Sequence, residues 1–132
     1  MSRDRSLGAA LLLFGTASLV HFVHNAEFIA EYPGLPATWT RAGVYGAWLA
    51  MTAMGVAGWL LFRKGWRVPG SIVLAGYAAC GLDSLGHYVV APLSSHTLAM
   101  NATILLEVTF AAMVWVEIAR RFLGPPAGAL AR

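Results

Sequence analysis

The chain has 132 residues, of which 58% are hydrophobic and only 11% are charged. A soluble domain averages about 25% charged residues, so this composition excludes an ordinary soluble protein of one domain. Cys80 is the single cysteine, which excludes an intramolecular disulfide framework and a metal site built only from thiolates.

Four apolar segments are each long enough to cross a hydrocarbon core of about 30 Å, which needs roughly 20 helical residues. They lie at 7–30, 41–62, 69–91 and 97–119. The first segment runs directly into a polar cluster without the small-residue cleavage site of a signal peptide, so we interpret it as a retained span. The sequence predicts an all-α polytopic membrane protein, with four transmembrane helices in an antiparallel bundle. We expect one domain over 1–132, ending in a flexible tail at 124–132.

The net charge of +3 does not indicate nucleic-acid binding, because the basic residues are confined to the two ends and the second connection. They are Arg3, Arg5, Arg63, Lys64, Arg67, Arg120, Arg121 and Arg132, while Arg41 is the sole basic residue of the other connections. The positive-inside rule therefore places both termini in the cytoplasm, with 31–40 and 92–96 outside. We predict a multi-pass protein of the inner (plasma) membrane, surrounded by lipid.

The first span carries a polar cluster in its outer half. His21, His24 and Glu27 follow one another at i,i+3 spacing, and Glu31 lies four residues beyond Glu27, so neighbouring members can touch on a helix. Pro33 ends this span. Just beyond the cluster, Tyr32 occupies a position typical of an interfacial aromatic belt.

The second span contains no ionisable residue. Ala42, Gly46 and Ala50 form a small-x-x-x-small ridge, which favours close packing against another helix and allows oligomerisation through this span.

The third and fourth spans return polar groups to the outer half. Cys80, Asp83 and His87 share one face of the third span, and Glu107 lies on the fourth. At 1.5 Å per residue, His21 and Glu107 reach a similar depth, with His24 and Asp83 about one turn nearer the surface. An acidic residue at a helix centre in lipid costs about 2.5–3.5 kcal/mol, so we expect these side chains to face inward and to meet.

Transition-metal binding is the leading interpretation of this cluster. Imidazole and carboxylate groups are the ligands that Zn, Cu and Fe sites use, and helical i,i+3 pairs can hold one ion. Such a site would serve metal handling, sensing or redox chemistry. The predicted ligands are His21, His24, Asp83 and His87, with Glu27 and Glu107 as further ligands or their supports.

Two other interpretations stay open. A histidine and a carboxylate in a dry pocket suit a cofactor-independent, isomerase-like acid/base enzyme acting on a lipophilic substrate, with Glu107, Asp83 and His24 as its catalytic residues. Alternatively, the polar groups only fix the helices, in a structural or assembly subunit of a membrane complex. We expect His96 to be a solvated loop residue. A haem held by His24 and His87 is disfavoured because it leaves the carboxylates unexplained.

The segment His24-Asn25-Ala26-Glu27-Phe28, followed by Tyr32-Pro33, resembles the small membrane family named for its His-x-x-Glu-Glu motif. Phe28 stands at the position of the second glutamate of that motif. The resemblance covers about a quarter of the chain and implies a helical membrane topology, since the function of that family is unknown.

A fainter resemblance is to the EXPERA domain of sterol isomerases and sigma-2-type receptors. Val20-His21 and Phe28 are similar to its histidine-bearing helix, and Met100-Asn101-Ala102 is similar to the start of its last helix. This resemblance implies a four-helix bundle that moves a double bond by proton transfer in a lipophilic cavity. The acidic residue of the second helix in those enzymes has no counterpart in the second span here.

Overall fold

A computed structural model describes residues 3–123. Its helices are α1 (Arg3–Glu27), α2 (Arg41–Arg63), α3 (Arg67–Leu82), the short α4 (His87–Val90) and α5 (Leu98–Leu123). Three 3-10 turns lie between them, at Ile29–Glu31, Asp83–Gly86 and Leu93–Ser95. The predicted flexible tail at 124–132 lies outside the described residues.

Four helical stretches of the described chain are long and apolar enough to cross a membrane. They are Asp4–Glu27, Arg41–Arg63, Arg67–Val90 and Leu98–Leu123. The third combines α3, the turn Asp83–Gly86 and α4, so the predicted third span contains a break in its regular helix. The structure confirms an all-α, multi-pass membrane protein with four spanning helices.

The helices pack as two antiparallel pairs, α1 with α5 and α2 with α3, and α3 also contacts α5. At one end of the bundle, Ser6 Oγ donates to Glu117 Oε2 at 2.5 Å and Arg67 pairs with Asp4 at 3.2 Å. We call this the terminal end, because the start of α1 and the end of α5 lie there. The opposite end holds the connections 28–40 and 91–97 and is called the histidine end.

A continuous apolar core fills the half of the bundle towards the terminal end. The Phe14 ring lies 4.5 Å from the Tyr77 ring, centroid to centroid. The members of this core are buried residues at helical spacing, namely Leu7, Ala10, Phe14, Phe62, Leu74, Tyr77, Ala78, Ala111, Val114 and Ile118. Gly70 permits the closest backbone contact, since a Cβ atom there would lie 2.5 Å from the backbone nitrogen of Phe62. The helices are therefore locked together in this half.

The predicted small-residue ridge of α2 does not pack within the described chain. Ala42, Gly46 and Ala50 are exposed, and no atom lies within 4 Å of a Cβ atom built on Gly46. Gly55 and Gly58, deeper in the same helix, make the close contacts with α3 instead. Oligomerisation through this ridge stays a prediction, and this face of α2 is exposed within the described chain.

The connection from α1 to α2 folds back onto the histidine end. Gly34 has a φ of +74°, a left-handed conformation that glycine adopts without strain, and a Cβ atom there would lie 3.1 Å from Val90. Thr40 then caps α2 by accepting a hydrogen bond from the Gly43 backbone nitrogen at 3.0 Å. This path holds the connection over the opening between α1, α2 and α3.

Candidate functional site

Three helical elements bring a buried histidine–carboxylate pair together in the half towards the histidine end. His21 Nε2 on α1 lies 3.7 Å from Glu107 Oε2 on α5, and the two side chains are 3% and 0% exposed. Ser84, in the turn after α3, donates from Oγ to the same carboxylate oxygen at 2.6 Å. The depth count from the sequence predicted that His21 and Glu107 lie at one level, and the structure places them in contact range.

Thr103 lies beside the other ring nitrogen of His21. When the Thr103 hydroxyl donates to the Met100 carbonyl at 3.0 Å, its oxygen accepts from His21 Nδ1 at 3.2 Å. A neutral His21 ring therefore presents the lone pair of Nε2 towards Glu107. The pair can hold one proton, either on Nε2 or on the carboxyl group.

The buried pair retains unused hydrogen-bonding capacity. Glu107 Oε1 and Ser18 Oγ are buried and have no hydrogen-bond partner among the described residues. Ser18 on α1 approaches the carboxylate without completing a hydrogen bond. A buried polar atom without a partner is costly, so this spot favours a further proton donor.

Tyr32 lies at the centre of the histidines. Its side chain is 4% exposed, and its ring centroid lies 6.4 Å, 5.8 Å and 5.1 Å from those of His21, His24 and His87. Burial raises the pKa of Tyr32 to about 12, which keeps the phenol neutral. Its hydroxyl lies 2.9 Å from His24 Nδ1 and donates to it. The sequence suggested an interfacial belt residue, but the 3-10 turn Ile29–Glu31 carries Tyr32 inward.

His87 is held by its partner on α1. The Asn25 amide nitrogen donates to His87 Nε2 at 3.3 Å, which leaves Asn25 Oδ1 and His87 Nδ1 buried without partners in the described chain. The His87 ring centroid lies 5.4 Å from that of His21.

The expectation of a solvated His96 is wrong, because this side chain is 7% exposed. The turn Leu93–Ser95 folds it back so that Nδ1 donates to the Pro92 carbonyl at 3.1 Å, and its ring meets those of His87 and Tyr88. Asn101 lies beside these rings and accepts a hydrogen bond from the Tyr88 hydroxyl at 2.9 Å. These contacts fix the position of α4 and of the loop that follows it.

Two further candidate residues take separate places. Glu27 is bound at the outer surface, where Arg41 lies 2.6 Å from its carboxylate and the Tyr45 hydroxyl donates to it at 2.7 Å. This cluster joins α1 to α2 at the histidine end. Asp83 is exposed and lines a cavity, and it makes no side-chain hydrogen bond or ion pair with His21 or Glu107.

A partly open cavity of about 690 Å³ separates α2 from α1 and α3. Its polar side chains include His21, Asn25, Asp83, Ser84 and His87, and Cys80 also contributes. The remaining walls are mostly apolar or come from the loop, namely Phe22, Thr38, Trp39, Thr40, Gly43, Val44, Ala47, Met51 and Ala79. Since His21 and Ser84 line the cavity and both contact Glu107, they stand between its lumen and the buried carboxylate.

The predicted metal ligands are not gathered into one centre. Within residues 3–123, no group of three or more His, Cys, Asp or Glu side chains is arranged to hold a metal ion. His24 is bound to Tyr32 and Glu27 to Arg41, whereas His21 and Glu107 face each other. The prediction of bound Zn, Cu or Fe gains no geometric support.

Sequence reasoning missed three residues that shape this site, Ser18, Tyr32 and Ser84. Small hydroxyl residues are common in transmembrane helices, so Ser18 and Ser84 gave no distinctive signal. Ser84 directly follows Asp83, and only the break in the helix turns it towards α5.

The chain is similar to a disulfide bond formation protein B from Alkalilimnicola ehrlichii. The two are 34% identical over 87 residues, which make up 66% of this chain and 49% of the relative. The chain thus spans about half the length of the curated relative it matches. No family model matches the chain, and no solved structure matches it. The resemblances to the His-x-x-Glu-Glu and EXPERA families therefore stay predictions.

Proposed function

We propose that this membrane protein binds a lipophilic small molecule in the cavity between α1, α2 and α3 and exchanges a proton with it in a cofactor-independent acid/base reaction. The observation that carries the proposal is the contact between a cavity-lining histidine and a fully buried carboxylate. The His21–Glu107 pair can take up one proton from a ligand at the cavity wall and return it. Burial away from water is what allows such a pair to exchange protons with a ligand instead of solvent.

The shape and lining of the cavity support a lipophilic ligand. Its volume of about 690 Å³ falls within the roughly 300–1,000 Å³ typical of small-molecule sites. Phe22, Val44 and Met51 supply apolar walls, while the polar groups are concentrated on α1 and around the turn after α3. A ligand can therefore place its hydrocarbon part against α2 and its reacting group near His21.

The proton has a defined place on each side of the reaction. It leaves the ligand for the His21–Glu107 pair, with the Ser84 hydroxyl able to relay it by passing its own proton to Glu107 Oε2. Protonation of the product reverses this path. Thr103 is a positioning residue, because it holds the His21 ring through Nδ1.

We further propose that both termini face the cytoplasm and that the cavity faces the outer side of the inner (plasma) membrane. The support is the basic residues, which gather at the terminal end of the bundle, together with the positive-inside rule.

Disulfide chemistry, which the name of the relative suggests, is not part of the proposed reaction. Exchange within one chain requires two thiols, and these 132 residues contain only Cys80.

The test measures binding to the chain in lipid nanodiscs by titration calorimetry, using phenylbutylamine, phenylbutanol and benzylacetone as probes. We expect at least one probe to bind, and Ala47→Trp, which fills the cavity, to weaken binding at least about tenfold. Ala53→Trp is the matched control, because Ala53 is exposed on α2 and does not line the cavity. Failure of every probe to bind the wild type, or equal binding by Ala47→Trp, would overturn the proposal.

Proton exchange is tested with benzylacetone in D2O, by following deuterium incorporation at the carbon atoms next to its carbonyl group with NMR. The wild type should speed this incorporation over that of the free ligand, and Glu107→Gln should bind benzylacetone without doing so. Incorporation at the rate of the free ligand in the wild type would remove the acid/base part of the proposal.

A further inference from the structure

A groove of about 490 Å³ lies between α1 and α2 in the half of the bundle towards the terminal end, and we call it the α1–α2 groove. Tyr77 of α3 forms its floor, since a Cβ atom built on Gly15 would lie 3.6 Å from the Tyr77 hydroxyl and one on Gly55 would lie 2.8 Å from the Tyr77 ring. The apolar walls include Leu11, Leu12, Leu19, Val56, Trp59 and Leu60. The groove shares no lining residue with the cavity at the histidine end, so it is a separate site.

The α1–α2 groove is as long as one leaflet of hydrocarbon is thick. On α1 it extends from Gly8 to Leu19, a distance of about 16 Å at a rise of 1.5 Å per residue. Half of a hydrocarbon core of about 30 Å has nearly the same thickness. Leu12, Val56 and Leu60 are exposed along the groove, so it opens to the bilayer. One acyl chain from the leaflet at the terminal end can therefore lie along its whole length.

Two arginines stand at the mouth of the groove. Arg5 lies three residues before Gly8, on the same face of α1. Arg63 lies four residues after Trp59 on α2, and its guanidinium carbon is 5.7 Å from the centroid of the Trp59 ring. A Cβ atom built on Gly8 would lie 3.4 Å from the same ring, so both arginines continue the two walls of the groove. They lie where the headgroups of this leaflet begin.

The charge at the mouth favours an acidic headgroup. Asp4 and Glu117 are the carboxylates of the terminal end in the described chain, and both form their ion pairs with arginines outside the groove. No carboxylate lines the groove itself. Arg41 at the histidine end, by contrast, is bound to Glu27 at 2.6 Å. Each basic side chain near a bilayer surface strengthens the binding of an anionic lipid about fivefold.

We propose that the α1–α2 groove is a binding site for an anionic phospholipid, with one acyl chain in the groove and the headgroup phosphate between Arg5 and Arg63. The length of the groove matches the acyl chain, and the two arginines match the phosphate. This site is independent of the proposed function, because the reacting groups of that function line the other cavity.

The experiment is native mass spectrometry of the detergent-purified full chain, titrated with dioleoylphosphatidylglycerol or dioleoylphosphatidylcholine. These lipids carry the same acyl chains and differ in headgroup charge. The wild type should bind its first phosphatidylglycerol at least about tenfold more tightly than phosphatidylcholine. Arg5→Gln and Arg63→Gln should each lose about fivefold in phosphatidylglycerol binding and bind phosphatidylcholine unchanged. Arg120→Gln removes the same charge at the same end but outside the groove, so it should keep the preference.

The acyl chain is tested by filling the groove. Gly15→Leu places a side chain inside it without a backbone clash, and it should weaken phosphatidylglycerol binding several-fold. Gly46→Leu is the matched control, because Gly46 lies outside the groove in open space.

Four results would overturn the proposal. The first is equal binding of the two lipids by the wild type. The second is an equal loss in Arg120→Gln, which would mean that lipid responds only to the total charge of this end. The third is unchanged binding by Gly15→Leu, which would place the acyl chain elsewhere. The fourth is a wild-type dimer that Gly15→Leu dissociates, which would assign the groove to a second copy of the chain.

Discussion

The two halves of the bundle use the same helices in different ways. Towards the terminal end, apolar side chains and glycines hold the backbones together, as at Gly70 against Phe62. Towards the histidine end, a cavity lined partly by polar side chains separates α2 from α1 and α3, and Arg41 and Tyr45 join α2 to Glu27 at the surface. The third span changes its conformation between the two halves, since it is a regular α-helix up to Leu82 and a 3-10 turn from Asp83. Close apolar packing and the proposed chemistry thus occupy different positions along the axis of the bundle.

The largest expected effect concerns the buried pair in the half towards the histidine end. His21→Leu leaves Glu107 buried without its histidine, and we expect this to lower the free energy of unfolding by about 3 kcal/mol. Replacing both residues by leucine should be less harmful than His21→Leu alone, because no uncompensated carboxyl group is left. Thermal unfolding in detergent micelles measures this non-additivity.

The terminal end supplies the matched control for that cycle. Arg67 and Asp4 form an ion pair at 3.2 Å whose side chains are 63% and 40% exposed, and such pairs contribute under about 1 kcal/mol. Asp4→Asn should therefore change stability little. Comparable coupling energies for both pairs would mean that the His21–Glu107 pair is far more hydrated than its burial indicates.

The second largest expected loss of stability concerns the tightly packed half of the bundle towards the terminal end. Gly70→Ala places a Cβ atom 2.5 Å from the backbone nitrogen of Phe62, which must force α2 and α3 apart. We expect a loss of about 2 kcal/mol, in the range that overpacking of a close contact produces. The same substitution at Gly46, where no atom lies within 4 Å, should be neutral or slightly stabilising. Equal losses in the two variants would contradict the assignment of one packed half and one open half.

The four-helix fold could be predicted from the sequence because a segment that crosses the lipid bilayer needs about 20 apolar residues of helix. The sequence was also sufficient to place His21 and Glu107 at one depth, since helical rise converts residue number into height. The rotation of each helix about its own axis could not be predicted, because the depth of a residue does not determine the direction of its side chain. Glu27 has the right depth and type for a ligand, yet it points to Arg41 at the surface.

Breaks in regular helix account for the other differences between the sequence predictions and the structure. Ser84 reaches Glu107 because the chain leaves the α-helical path at Asp83, and no proline marks that departure. Tyr32 enters the histidine cluster because the turn Ile29–Glu31 reverses the chain before Pro33. Short 3-10 segments are stabilised by tertiary contacts as much as by local preference, so a single sequence gives little warning of them.

A smaller effect tests Tyr32 as the centre of the histidine cluster. Tyr32→Phe removes the donor to His24 Nδ1, and we expect a loss of about 1 kcal/mol at neutral pH. Tyr45→Phe, whose hydroxyl donates to Glu27 at the outer surface, should cost less. Thermal unfolding of both variants beside the wild type decides this, and a larger loss in Tyr45→Phe would contradict the central role of Tyr32.

Alkaline pH sharpens the same test. The pKa of Tyr32 is raised by burial from 10.0 to about 12, so its favourable contribution is complete below pH 10 and is lost as the pH rises towards 12. The wild type should therefore lose stability over this interval, and Tyr32→Phe should lose less. Identical pH profiles of the two proteins would show that the phenol is not buried in the folded state.

The smallest expected effect is that of His24→Ala and His87→Ala on the metal content of the purified protein. Because no suitable group of three ligands exists within residues 3–123, we expect elemental analysis of the detergent-purified chain to show far less than one equivalent of Zn, Cu or Fe. His24→Ala and His87→Ala should then show the same content as the wild type. Near-unit metal in the wild type that is lost in both variants would support the metal hypothesis instead. Since His24 and His87 are both close to Tyr32, that result would require the side chains around Tyr32 to rearrange, and it would turn the open half of the bundle into a metal site.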